Sequence, residues 1–262
     1  VPDEVRGDVT GDVTGEVARG PALDEDHHVH STFSDDAVST PRENLDAAVA
    51  RGLRVVRMVD HVRVSTPDVA DRLVALAALP RVAGLTVLTG VEAKLLDTAG
   101  AVDAPADVLA AAGRPGGVDR VLLADHQLPG PDGPWSPRRA RDELASGLSA
   151  ADVLEMLVVG TVAALRRVPA AQLAHPLSLV PKLGLTEDDV TDEHLDALAA
   201  AVLAAGALVE VNEKWRCPGP RAVARWRAAG VPLVASTDAH VATDVGVYRW
   251  LGGRDGGPGG RT

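Results

Sequence analysis

Residues 26–36 read DHHVHSTFSDD. The first five form a short strand-like run, and residues two apart on a strand point to the same side. His28 and His30 therefore aim both imidazoles at one point, where a single cation can take both. Six other short runs share the chain with this one. The run 53–59 (LRVVRMV) leads to His61, 85–91 (LTVLTGV) to Glu92, and 119–124 (DRVLLA) to His126. The run 172–174 (QLA) leads to His175 and 231–236 (VPLVAS) to Asp238 and His240, while 207–212 (ALVEVN) completes the set. Several are β-branched and almost continuously apolar, as strands covered on both faces are.

Helical patterns separate these runs. Thr40 reads as an N-cap with Pro41 in the first turn and Glu43 closing a capping box, and Gly52 reads as the stop. Thr66–Pro67 opens another helix. Residues 150–167, 193–205 and 220–229 are further helical stretches, the last two ending at Gly206 and Gly230. Strand alternating with helix means parallel strands joined by crossover helices. Seven strands can close a barrel or form an open sheet, and periodicity does not choose between them. Residues 129–148 (PGPDGPWSPRRARDELASGL) interrupt the pattern and read as a long loop, with Trp135, Arg138 and Arg139 the candidates for a lid.

The two ends differ in composition. Residues 7–17 (GDVTGDVTGEV) repeat Gly every four residues with no apolar face, and 252–262 are Gly-rich. We expect a disordered acidic tail over 1–21, one folded domain over 22–251, and a flexible C-terminus over 252–262. A length of 262 residues suits that single large domain. Hydrophobic residues are 46% of the chain but aromatics only 2%, so the core is built from Ala, Val and Leu. The net charge is −11, and the first 26 residues hold eight acidic side chains against two basic ones. No large nucleic-acid surface is expected, because backbone binding needs a basic face. Cys217 is the one cysteine, which excludes an intrachain disulfide and a cysteine-built zinc site. No apolar run reaches membrane-spanning length, and the acidic N-terminus has no signal-peptide pattern, so a cytoplasmic enzyme is expected.

Six of the eight histidines lie at or just past a strand end: His28, His30, His61, His126, His175 and His240. In parallel α/β folds these ends all face one crevice, where ligands bind. That mouth would collect six imidazoles with Glu92 and Asp238. A lone His-X-His is weak evidence, and a lone His-Pro such as His175–Pro176 is usually a turn; the convergence carries the reading. His27 should point away from His28 and is read as a core or supporting residue, and His194, at a helix start, as a solvated one. Imidazole with carboxylate suits zinc, manganese or iron and suits calcium poorly.

The stretches DHHVHSTFSDD (26–36), VDH (59–61), GVE (90–92), ADH (124–126), AHP (174–176), VEVN (209–212) and STDAH (236–240) together resemble the PHP family, named for polymerase and histidinol phosphatase. The resemblance implies a distorted TIM-like (β/α)7 barrel and a site for two or three divalent metal ions (Zn, Mn or Fe). It assigns one ion to His28, His30, Glu92 and Asp238, a second to Glu92, His126 and His175, and a third to His61, His240 and Asp35, with Asp36 the alternative to Asp35. The chain departs from the family at Val59, where Thr is usual, at His27, where an apolar residue is usual, and at Asp125, where a small one is.

A site of that kind would hydrolyse a small phosphate monoester, histidinol-phosphate-like or nucleotide-like. In this expectation a metal-bridging hydroxide would attack phosphorus in line, with Asp238 or His240 managing the proton. Phosphate also wants cations beyond the metals. Only Lys94, Lys182 and Lys214 are lysines; Lys94 and Lys214, with Arg216, are the candidate substrate-binding residues. Trp215 is placed either to stack on a substrate ring or to close the barrel end. Three rival readings remain at this level: an amidohydrolase-type barrel acting on C–N or C–O bonds, a phosphodiesterase or nuclease for cyclic or short oligonucleotide substrates, and an inactive accessory module. Oligomeric state is not legible in the sequence.

Overall fold

The computed structural model describes residues 20–253; most of both expected tails, 1–19 and 254–262, lies outside the described residues. Local signals act where the sequence places them. Helix α1 (Pro41–Arg51) starts at Thr40, whose hydroxyl oxygen accepts from the Glu43 amide at 3.2 Å while Glu43 takes the Thr40 amide at 2.7 Å. It stops at Gly52, which adopts the left-handed φ of +70° that a side chain would resist. Helices α2 (Val69–Ala77), α3 (Ala106–Ala111), α4 (Pro137–Ala145), α5 (Ala150–Arg167), α6 (Asp192–Ala205) and α7 (Pro220–Ala228) come after it. Among the described residues no helix is long and apolar enough to cross a membrane.

Nine strands are present among the described residues. Two short ones, β5 (Leu128–Gly130) and β6 (Gly133–Trp135), stand apart as an antiparallel ladder. The other seven form one parallel sheet: β1 (Glu25–Val29), β2 (Val55–His61), β3 (Thr86–Lys94), β4 (Arg120–Ala124), β7 (Ala171–Ala174), β8 (Leu208–Asn212) and β9 (Leu233–Ser236). Each of the seven pairs with the next along the sheet, and every pairing is parallel. The sheet curls until its ends meet, where Val29 bridges Ala239 and the His30 amide donates to the Ala239 carbonyl at 2.8 Å. The result is a distorted (β/α)7 barrel, which decides the choice that periodicity left open.

Alternation along the strands then sets what faces inward. Val59, Leu122, Ala124 and Ala174 form an apolar plug inside the barrel. Gly90 lies against it: a Cβ there would stand 3.1 Å from both Val59 and Leu122, so any larger residue would have to push this layer aside by a few tenths of an ångström. One alternation step beyond the plug come His61 on β2, Glu92 on β3 and His126 after β4. On the outer face, Val121, Leu123, Leu173 and Val209 pack against Leu154, Leu157, Leu195 and Leu198 of α5 and α6 in the main core. At roughly 25 cal/mol per Å² of apolar area, that burial holds the barrel closed with few aromatic residues, Trp135 and Trp226 being the two in this core.

Residues 129–148 depart from the expected long loop. The β5–β6 ladder fills the first part, and α4 comes next, capped by Ser136. Trp135 is no mobile lid residue: its ring is buried in the main core, its indole N–H donates to Asp132, and Arg139 stacks over it at 4.2 Å. Pro and Gly punctuation hid a hairpin too short to show period-two patterning.

Candidate metal centre

The C-terminal ends of the barrel strands gather the histidines around Glu92. His28 and His30 come from β1, whose pairing with β2 slips between Asp26 and Val29; such a bulge re-aims side chains. Glu92 is buried, and its two oxygens face different partners. Oε1 stands 3.0 Å from His175 Nε2 and 3.2 Å from His126 Nε2. Oε2 stands 2.8 Å from His61 Nδ1, 3.5 Å from His30 Nε2 and 3.7 Å from His28 Nε2. Asp238 Oδ1 lies 3.3 Å from His30 Nε2. Three groups of possible ligands result: His28, His30 and Asp238; Glu92, His126 and His175; and His30, His61 and His240.

Two of these positions need a left-handed backbone. His175 follows inward-facing Ala174 and would point outward by alternation, but a φ of +30° turns it into the barrel. The Cys217 thiol donates to its carbonyl at 3.2 Å and helps pin that turn. Asp238 has a φ of +52°, a conformation Asp tolerates better than most residues. Non-glycine residues held this way cluster at functional sites.

Hydrogen bonds behind the imidazoles decide which nitrogen is free. Glu210, buried on β8, stands 3.0 Å from His28 Nδ1, so the proton sits there and Nε2 keeps its lone pair. The Ser34 hydroxyl donates to Asp60 at 2.8 Å and can only accept from His30 Nδ1 at 3.1 Å, which leaves His30 Nε2 a lone pair too. Likewise Ser178 donates to Asp125 at 2.6 Å and accepts from His175 Nδ1 at 3.1 Å. Yet the Nε2 atoms of His28 and His30 face each other at 3.0 Å, and His175 Nε2 faces a carboxylate oxygen at 3.0 Å. With neutral imidazoles these contacts set lone pair against lone pair, which is repulsive unless a proton or a metal ion lies between. Glu92 Oε2 is also buried without a hydrogen bond, since the angle to His61 is unfavourable despite the short distance. Nitrogen and oxygen donors converging on an orphaned carboxylate oxygen fit divalent zinc, manganese or iron.

The electrostatics carry the same demand for positive charge. Burial opposes a charged His28, but the Glu210 and Glu92 carboxylates outweigh it and raise its pKa well above the usual imidazole value. Burial likewise opposes a charged His175, and hydrogen bonds to Asp125 and Glu92 overcome it, pushing the pKa up to about 10. Burial would raise Glu92, but the facing imidazoles hold it well below the ordinary carboxylate range. His30, buried beside His28, falls to about 4.

Of the two aspartates after β1, the structure brings Asp36 to the site and leaves Asp35 outside. Asp36 Oδ2 is 3.3 Å from both His61 Nε2 and His240 Nε2, whereas Asp35 is exposed with Arg63 at 3.8 Å. His27 is buried against Glu25 at 2.9 Å and takes no part in the cluster. His194 is not the solvated residue its helix-start position suggested: it is buried, closes the α6 capping box by accepting from the Thr191 amide at 3.3 Å, and contacts Glu155 at 3.2 Å. Lys214 Nζ lies 3.4 Å from Asp238 Oδ2, and Arg216 is exposed in the same cleft with Arg249. Lys94 ends β3, half-buried, one alternation step past Glu92.

Sequence reasoning missed the supporting carboxylates and Trp215's contact. Glu210 was visible as a charge between two valines of a strand. The Trp215 indole N–H donates to Asp238 Oδ2 at 2.6 Å, a contact with no local signal.

Residues 26–214 match the PHP domain. A protein named "Probable phosphatase" from Aeromonas salmonicida is 37% identical over 86 residues, covering 30% of this chain and 33% of that one. Another of that name from Shewanella sediminis is 34% identical over 90 residues, covering 32% and 35%. The match thus spans about a third of these curated relatives. Histidinol phosphate phosphatase from Lactococcus lactis, solved with zinc, L-histidinol and phosphate, superposes with a TM-score of 0.57 over 87% of this chain and 88% of its own. Its sequence identity is 15%, so that likeness is one of fold.

Proposed function

We propose, from the premise that this chain belongs to the PHP domain family, that it is a metal-dependent phosphatase acting on a small phosphate monoester. One observation carries the reading: imidazole lone pairs from separate strands converge on the buried Glu92, whose Oε2 has no hydrogen bond. His28, His30, Glu92 and Asp238 would hold one ion, Glu92, His126 and His175 a second, and His61, His240 and Asp36 a third. Such ions supply the charge that acidifies water and neutralises phosphoryl oxygens. The names of the curated relatives support phosphatase chemistry, and the zinc, histidinol and phosphate of the Lactococcus protein support a small phosphorylated substrate.

The chain's own groups divide the remaining work. Asp238 takes the proton of the attacking water at Oδ1 and returns it to the leaving oxygen, while Oδ2 stays tied to the Trp215 indole. His240, with Nδ1 3.5 Å from Asp238 Oδ1, steadies that carboxylate through the transfer. Lys214 and Arg216, on the cleft beside Asp238 and His240, supply cations for the phosphoryl oxygens, and Lys94 does so from the β3 rim. The oxygens that develop charge during transfer are where such donors act.

The test is phosphate release from a panel of phosphomonoesters by protein stripped of metal and resupplied with Zn, Mn or Fe, with His28→Ala in parallel. Metal-dependent release that His28→Ala abolishes is the expected outcome. No release with any metal, from protein that binds metal, would overturn the reading in favour of amide or diester substrates.

A further inference from the structure

The barrel mouth holds one more cation. Of 26 basic residues in the chain only three are lysines, and all three lie where barrel strands end. Lys94 ends β3, Lys214 comes just after β8, and Lys182 sits in the short 3-10 turn Val180–Leu183 after β7. Lys182 is half-buried, with its ammonium 3.9 Å from the centroid of the Trp215 ring. In a chain of net charge −11, no carboxylate among the described residues lies within ion-pair distance of it.

Trp215 is itself fixed. Its backbone amide donates to Asn212 Oδ1 at 3.0 Å, its indole N–H to Asp238 Oδ2 at 2.6 Å, and its ring lies 5.9 Å from that of His175. Lys214 stands 5.7 Å from the same ring centroid. An aromatic face attracts a cation without using its hydrogen-bond donors. Lys182 is therefore a compact charge, held on the ring whose indole N–H reaches Asp238, and its own N–H groups are free for an oxyanion. Arginine would present a planar fork instead.

We infer that Lys182 is a substrate-binding residue, its ammonium resting on Trp215 and taking non-bridging oxygens of the phosphoryl group together with Lys214. This rests on the phosphatase reading and adds to it a residue and its support.

Lys182→Met keeps the stem against the indole and removes the charge; Lys182→Arg keeps the charge. Both are compared with the parent as metal-loaded protein. The measurements are orthophosphate affinity by calorimetry, steady-state kinetics on a hydrolysed phosphomonoester, and metal content. Loss of one charge-assisted contact is expected to weaken orthophosphate and raise KM in Lys182→Met by about tenfold each. The loss should fall on KM rather than kcat, with metal content intact and with Lys182→Arg recovering most of it. Unchanged orthophosphate affinity in Lys182→Met overturns the inference alone, even if KM moves, because the lysine would then touch another part of the substrate. Equal loss of metal or fold in both variants overturns it in favour of a packing role. A parent protein that neither releases phosphate nor binds orthophosphate overturns the phosphatase reading as well.

Discussion

His28 Nδ1 stands 3.0 Å from Glu210 Oε1, and neither side chain reaches solvent. Glu210 also accepts from Gln172 at 2.8 Å, Ser236 at 2.9 Å and the His175 amide at 3.1 Å. It thus ties β1, β7 and β9 to its own strand β8 and fixes which nitrogen His28 offers. Glu210→Gln removes the charge and brings an NH2 group against these donors. Partners of this kind contribute roughly 10–100-fold to metal affinity, and a loss in that range is expected by competition with a chromophoric chelator. Unchanged affinity would leave Glu210 as a packing residue only.

Asp36 and Asp35 offer a second comparison. Asp36 faces His61 and His240, while Asp35 faces solvent and Arg63. Asp36→Ala should lower the number of ions bound per chain and the turnover, whereas Asp35→Ala should leave the metal content as it was. Elemental analysis of dialysed protein separates the two, and the opposite pattern would return the ligand role to Asp35.

These two carboxylates show where sequence reading stops. Strand ends were legible because each strand is a short apolar run and each ligand comes directly after it, so alternation alone places His28, His61, Glu92 and His126. The loop after β1 has no period, and nothing local tells Asp35 from Asp36. His175 breaks alternation through a left-handed φ that no residue type announces. Asp125 stood out as unusual in its block, but its role needs Ser178, brought to 2.6 Å from 53 positions away. His194 looked solvated because its helix start was read without the neighbouring α5, which supplies Glu155 at 3.2 Å.

Tyr248 gives a pH test on a residue that is not among the proposed metal ligands. It is the chain's single tyrosine, and its hydroxyl donates to the Glu25 carbonyl. Burial, then the negative field of Asp26 and Glu210, pushes its pKa well above the ordinary phenol value. The native phenol should therefore stay protonated where a free tyrosine ionises, near pH 10. A raised folded-state pKa means the folded chain holds the proton more tightly. Its stabilising contribution is complete below pH ~10 and declines as the pH rises toward the folded value. Ultraviolet titration should show phenolate appearing only with unfolding, and ionisation near pH 10 in still-folded protein would contradict this.

Removing metal should cost stability as well as activity. With the cluster empty of cations, the facing Nε2 atoms of His28 and His30, and that of His175 against Glu92, must be held apart by protons alone. Ions would bind this arrangement and not the unfolded chain, where the donors are scattered from residue 28 to residue 240. At free metal a thousandfold above Kd, mass action stabilises the fold by ~4 kcal/mol, which for a domain of this size raises the melting midpoint by roughly 10 °C. Chelation should lower the midpoint by about that much and resupply should restore it. His28→Ala should respond less to both, because one convergent lone pair is gone. Identical midpoints with and without chelator, in protein whose metal content has changed, would mean the cluster is held by protein contacts alone.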